Sequence, residues 1–273
     1  DRGIQLKDVT SLVGDDLTDD LAAIEDEDPG WYGLLTDVNS GAAINSAAAW
    51  VEGRRKIYFP MSGDWDIADN NQSGDVGSEL VAKSYTRTFP IWHRMIGGSE
   101  WANGAYAAVI LAPDVGSSIA SFKSLAGITA DNLRAGEQSG LKAKRWAMYQ
   151  NLGGLNLTYG GQSPSGRYVD TVRGVDWLHS EMQLDLLMLF ANNAKIPFTN
   201  SGLSLIKGTM ENVMVKGRRR GIVADDTPSI VTVPTIDETD AADRMARILR
   251  GCEFSARVTG AVESVTVRGN LTI

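Results

Sequence analysis

Cysteine and histidine are almost missing from this 273-residue chain: Cys252 is the only cysteine, and His93 and His179 are the only histidines. One thiol makes no intrachain disulfide and no thiolate zinc cluster, and two imidazoles exclude a multi-histidine metal site. Long uncharged apolar runs are missing as well, so no segment reads as a membrane span. The chain opens Asp1-Arg2-Gly3, with neither an initiator Met nor a signal-peptide pattern. Such a start, inside ordinary globular sequence, implies processing or a fragment, with sequence missing upstream.

A basic excess is also lacking: 26 Lys and Arg stand against 34 Asp and Glu, a net charge of −8. The first thirty residues hold ten acids and only Arg2 and Lys7 as bases, so the whole excess sits there. The remainder is balanced at 24 against 24. This is a neutral body with an acidic leading edge, which includes Asp19, Asp20, Glu25, Asp26, Glu27 and Asp28. At 43% hydrophobic and 22% charged residues, the chain can bury one or two real cores.

Periodicity supplies the elements. Leu17, Leu21 and Ile24 share a helical face, with Asp16, Asp19 and Asp20 where the helix dipole welcomes acids. Trp31–Leu35 and Lys56–Pro60 read as strands, and Ile44, Ala47, Ala48 and Val51 share the face of a helix capped by Asn39 or Ser40. A helix at 77–85, a strand at 87–93 and an Ala-rich helix at 101–112 follow. The alternation predicts an α/β layer with at least partly parallel strands. Residues 139–150 read as helix, and Leu155, Leu157 and Tyr159 alternate as a strand. The loop 162–166 separates this α/β region, 1–161, from a helix-rich α+β region, 162–273, that ends in strands. There, Val175, Leu178, Met182, Leu186 and Leu189 mark one long helix, Ser201–Lys216 a second, Ser229–Val233 a strand, and 237–250 a charged helix.

Catalytic constellations are weak. Asp64 and Asp75 fall at positions 1 and 12 of a calcium loop, but Ala68 and Asp69 occupy positions 5 and 6, where an oxygen ligand and Gly are needed. Solvated loop carboxylates are the better reading. Ser163 and Ser165 lack the glycine spacing of a nucleophile elbow. His93 reads as a hydrogen-bonded structural histidine. His179, Glu181 and Asp185 are the alternative: a carboxylate/His site of a hydrolase-like enzyme on one helix, with no second cluster to face it. Lys216, Arg218, Arg219 and Arg220 form the sharpest basic run, without interleaved aromatics to indicate nucleic acid. No cofactor is implied.

Two features point to assembly. Asp240 and Asp243 precede Arg244, Arg247 and Arg250 at spacings that favour i, i+4 pairs along a docking helix. At the end, Val265, Val267, Leu271 and Ile273 alternate with polar residues, as a strand that pairs internally or adds to a neighbour's sheet.

The order of several loose motifs resembles the sheath-like family of contractile tail sheath proteins from myophages and prophages. Asp16–Ile24 with Trp31–Leu35, Gly166–Asp170 with Trp177 and Leu178, Lys195–Gly202, and Arg257–Val262 with Gly269 carry the resemblance, which spans nearly the whole chain. It implies a non-enzymatic structural subunit that polymerises with itself around a tail tube and contracts to drive the tube through the host envelope. Baseplate and tail terminator proteins would be further partners, the virion tail its location, and the host cytoplasm its place of assembly. The family would make the ending from Val265 a donated strand and set a charged helix, here Asp237–Arg250, against the tube. It normally carries more sequence before this core, including an N-terminal linking arm.

Overall fold

The computed structural model describes residues 15–94 and 100–266. The chain divides into two compact units. The first takes residues up to Pro113 and then Ile119–Val169; the second takes Asp114–Ser118 and everything from Asp170.

In the first unit, helix α1 (Asp15–Glu27) buries Leu17 and Leu21, and strand β1 (Gly33–Leu34) follows. Helix α2 (Gly41–Glu52) starts at Ser40, whose side chain accepts from the Ala43 N–H. It buries Ile44, Ala47, Ala48, Trp50 and Val51, the face expected from spacing. Strand β2 (Ile57–Tyr58) runs parallel to β1, with Gly33 opposite Ile57. Pro60 has no N–H to continue the ladder, so the chain breaks before β3 (Met61–Ser62).

Short helix α3 (Trp65–Ala68) and α4 (Val76–Lys83) lead to β4 (Ile91–Trp92), and α5 (Ala102–Leu111) follows. Strands β3, β4 and β5 (Ala147–Leu152) are parallel neighbours, and β6 (Leu155–Tyr159) closes the sheet antiparallel to β5. The alternating α/β reading is borne out. One element differs: α6 occupies Ala135–Ala143 and the chain then turns into β5, so the helix expected over 139–150 stops early. Ala147–Gln150 is buried on both faces and therefore shows no alternation to mark it as a strand. Trp92, Trp146, Tyr58, Phe59 and Phe89 fill the centre of this unit.

The second unit is built on two long helices, α7 (Val169–Asn192) and α8 (Asn200–Arg219). Thr199 caps α8, accepting from the Gly202 N–H. Leu178 and Met182 of α7 join Ile206, Met210, Val213 and Met214 of α8 in one apolar cluster. Val175, expected on that face, is instead exposed. Strands β7 (Ile230–Thr232) and β8 (Glu253–Ser255) pair antiparallel, placing Val231 opposite Phe254. Residues 114–118 also belong here: Val115 packs on the cluster and Arg220 reaches Asp114 at 3.8 Å.

The charged helix expected over 237–250 is much shorter. One 3-10 turn, Ile236–Glu238, precedes α9, which spans only Ala241–Ala246. Asp240 is not inside the helix but caps it, and Arg247 ends it in the left-handed conformation at φ 58°.

Candidate assembly surfaces

The basic run comes from the last turn of α8, where bases suit the negative end of the helix dipole. Most of it is committed within its own unit. Lys216 Nζ donates to Glu181 Oε1 at 2.7 Å and to both Asp185 oxygens at 2.8 Å. These bonds hold the Lys216 ammonium above its ordinary pKa, Asp185 contributing first and Glu181 next. Arg218 donates to the Ser229 hydroxyl, and Arg220 lies 4.9 Å over the Trp177 ring. Arg219 is exposed.

The same contacts answer the enzymatic alternative. Glu181 and Asp185 stand one turn apart on α7, but both are bound to one ammonium, which offsets one of their two charges. A general acid–base pair needs one member free to exchange its proton with a substrate. His179 packs edge-on against Phe254, with ring centroids 6.0 Å apart.

On α9, the expected i, i+4 pairs give way to others. Asp240 accepts from the Ala242 N–H at 2.9 Å, and Asp243 meets Arg250 at 3.2 Å. Arg244 donates back to the Ile236 and Thr239 carbonyls and the Thr239 hydroxyl. The helix ends before Arg247 can complete a turn over Asp243. Of the C-terminal set, Val265 is 76% exposed and outside any strand; Val267, Leu271 and Ile273 lie outside the described residues.

The acidic edge on α1 is mixed. Asp19, Asp26 and Glu27 are exposed, whereas Asp20 is partly covered. Glu25 pairs with Lys56 at 2.9 Å, and Asp28 accepts from the Gly30 N–H at 2.8 Å. Lys56 also donates to the carbonyls of Pro29 and Trp31, and sits 3.8 Å over the Trp31 ring.

The loop carboxylates are not simply solvated. Asp64 caps α3, but Asp75 caps α4 from a buried position and meets Lys144 at 2.6 Å. His93 is fully buried, with Nδ1 2.9 Å from Asp131 and Nε2 3.4 Å from Glu100, in keeping with a structural histidine. Among the described residues, no group of three or more His, Cys, Asp or Glu is placed to hold a metal ion, and no helix is long and apolar enough to cross a membrane.

One surface escaped the sequence reading. Leu184, Leu187, Met188 and Phe190 of α7 are all about half exposed or more, on a helix whose other side is core. The signal is present in the run Leu186-Leu187-Met188-Leu189-Phe190, which is apolar at every position rather than on one stripe.

Comparison with known proteins bears on what such surfaces serve. Among curated proteins, none matches the sequence significantly. The chain has the fold of a chain in the cryo-EM structure of the anti-feeding prophage baseplate, with a TM-score of 0.67 and 13% identity over 94% of this chain and 73% of that one. It matches similarly a chain of the PVC sheath complex, an extracellular contractile injection system in the contracted state, at a TM-score of 0.64 and 13% identity, covering 91% and 74%. Residues 169–227, the α7–α8 hairpin and the turn beyond it, match the family described as E217 tail sheath protein gp31-like, C-terminal domain, and the resemblance to contractile tail sheath proteins is thereby borne out.

Proposed function

We propose that this chain is a structural subunit of a contractile tail sheath, polymerising around a tail tube and contracting to drive the tube through a host envelope. The observation that carries this reading is the match of residues 169–227 to a tail sheath C-terminal domain, within a chain whose fold is also that of a chain of the PVC sheath complex. The Lys216 clamp on Glu181 and Asp185 supports a non-enzymatic role. A sheath does its work through two packings of many copies, whose free-energy difference adds along the lattice.

Its partners are then itself, the tube protein, and baseplate and terminator proteins, in a phage tail assembled in the host cytoplasm. The region 162–273 is the inner, linking domain. Residues 265–273 are its donated strand, and the exposure of Val265 is compatible with a partner supplied by a neighbour. Arg247 and Arg250, exposed beyond α9, are the tube-facing charges. The exposed acids of α1 meet bases such as Arg219 on a neighbouring copy.

Negative-stain microscopy of the full-length protein tests this. Tubes of regular pitch are expected, and monodisperse small particles at all concentrations overturn it. Deleting 265–273 is expected to leave folded monomers without tubes; unchanged tubes sink the strand exchange. Arg247→Glu is expected to weaken tube-templated assembly, and unaltered tube binding removes that segment from the interface. Assembly that ignores salt removes the acidic edge.

A further inference from the structure

The last two turns of α7 are apolar on opposite faces. Met182, Leu186 and Leu189 turn toward the core of the second unit. Leu184, Leu187 and Met188 follow i, i+3, i+4 on the other side and are 52%, 64% and 49% exposed, with Phe190 at 56% beside them. No charged residue occurs between Asp185 and Lys195, and Asp185 is already held by Lys216. Single exposed leucines need no explanation, but four large apolar side chains within seven residues expose roughly 400 Å², the scale of an interaction patch. That is about half of the ~800 Å² a side that a stable two-body complex buries. The patch is therefore undersized for a dimer and suited to a contact repeated in a lattice, where each copy has several neighbours.

The chain itself offers a complement. Met245 on α9 is 86% exposed, more than any other large apolar side chain among the described residues, and Ile248 follows at 43%. Two of their charged neighbours are occupied, Asp243 by Arg250 and Arg244 by the Thr239 turn, and Arg247, between Met245 and Ile248, is exposed. An apolar knob of this kind is best buried by an uncharged, apolar receiver with Arg247 left at the rim, and the end of α7 is one.

We propose that the outward face of α7, Leu184 to Phe190, receives Met245 and Ile248 of a second copy of this chain. This deepens the sheath reading and rests on it. Made in one direction only, pairing of two different patches is head-to-tail, and it builds a ring where the rotation closes and a filament where it does not. The unbranched thioethers of Met188 and Met245 adapt to more than one packing, as a contact that persists through contraction requires.

The test uses full-length protein carrying Cys252→Ala. Leu187→Cys and Met245→Cys are made separately, mixed, assembled and oxidised. A disulfide-linked dimer joining the two variants, absent when either is oxidised alone, is the expected result. Leu187→Glu, at an exposed position, is expected to leave the monomer's melting unchanged and to raise the critical concentration for tubes at least tenfold. Tubes that form without the cross-link, or Leu187→Glu tubes at the wild-type concentration, overturn the contact and leave the sheath reading standing. Wild-type protein that stays monomeric at every concentration overturns both.

Discussion

Lys144 Nζ lies 2.6 Å from Asp75 Oδ2 in the interior of the first unit, and the two side chains are 8% and 0% exposed. The same ammonium donates to the carbonyls of Asp66 and Asp69, and the same carboxylate caps α4 through the Ser78 N–H. One ion pair thus ties the loop between α3 and α4 to the end of α6. Removing the carboxylate with Asp75→Ala strands a buried cation and uncaps a helix, a loss expected at about 3–5 kcal/mol. Chemical denaturation with wild type and variant side by side measures it.

That pair also sets an acid limit. Burial by itself would raise the Asp75 pKa, but the bonds from Lys144 and Ser78 outweigh it and hold the carboxyl below its ordinary 3.8. A depressed folded value stabilises fully above the unfolded pKa, and that contribution is lost as pH falls through the folded one. Melting temperature followed from pH 6 downward is therefore expected to fall less steeply below pH 4 in Asp75→Asn than in wild type.

The Lys216 clamp has the opposite sign. Its raised pKa means a contribution that is complete below the ordinary 10.5 and disappears as pH rises through the higher folded value. Lys216→Met leaves Glu181 and Asp185 repelling each other. Because the lysine side chain is 36% exposed, solvent screening limits the loss to about 1 kcal/mol. Thermal melts are expected to show the gap at pH 7 and its closure in strong alkali.

Two helical glycines should respond oppositely to alanine. A Cβ on Gly140 of α6 would stand 2.0 Å from the Ala68 carbonyl oxygen, with backbone unable to yield. Gly140→Ala is expected to destabilise by about 2 kcal/mol or more, on the order of other overpacking substitutions. Gly208 of α8 is exposed and meets nothing within 4 Å, so Gly208→Ala is expected to stabilise by about 0.5–1 kcal/mol. Urea unfolding of the pair decides both.

Lys56 holds the end of α1 by one salt bridge, two carbonyl bonds and a ring contact. Lys56→Met is expected to raise amide hydrogen exchange over residues 20–31 while the central sheet stays protected. Uniform loss of protection would mean that the lysine supports the whole unit rather than this edge.

Much of this is legible in the sequence, for reasons that individual residues make plain. Ile44, Ala47, Ala48 and Val51 announce α2 because a helix on one side of a sheet needs a single apolar stripe. Parallel strands follow from the helices between them. Local pattern fails where partners are distant or faces are equal. Asp75 reads as a solvated loop acid because its cation lies 69 residues later. The α9 segment carries ideal charge spacing, yet spacing records only which side chains would meet if a helix formed, and Asp240 caps rather than extends it. The basic run 216–220 shows its charge but not its consumption by α7 acids and Ser229.

Residues 114–118 give the molecule an unusual wiring. The backbone passes between the two units at Pro113–Asp114, again at Ser118–Ile119, and a third time at Val169–Asp170. A protease that nicks the loop at 162–168 cuts the last covalent link to the chain beyond it. Residues 114–118, with Val115 on the apolar cluster and Asp114 near Arg220, then hold the N-terminal piece to the second unit by noncovalent contacts alone. Expressing the chain from residue 170 onward would likewise leave out Val115, which packs on the apolar cluster of that unit. Tension between the first unit and the chain from Asp170 onward therefore runs through one covalent strand, at Val169–Asp170, while the excursion at 114–118 is held in the second unit by packing alone.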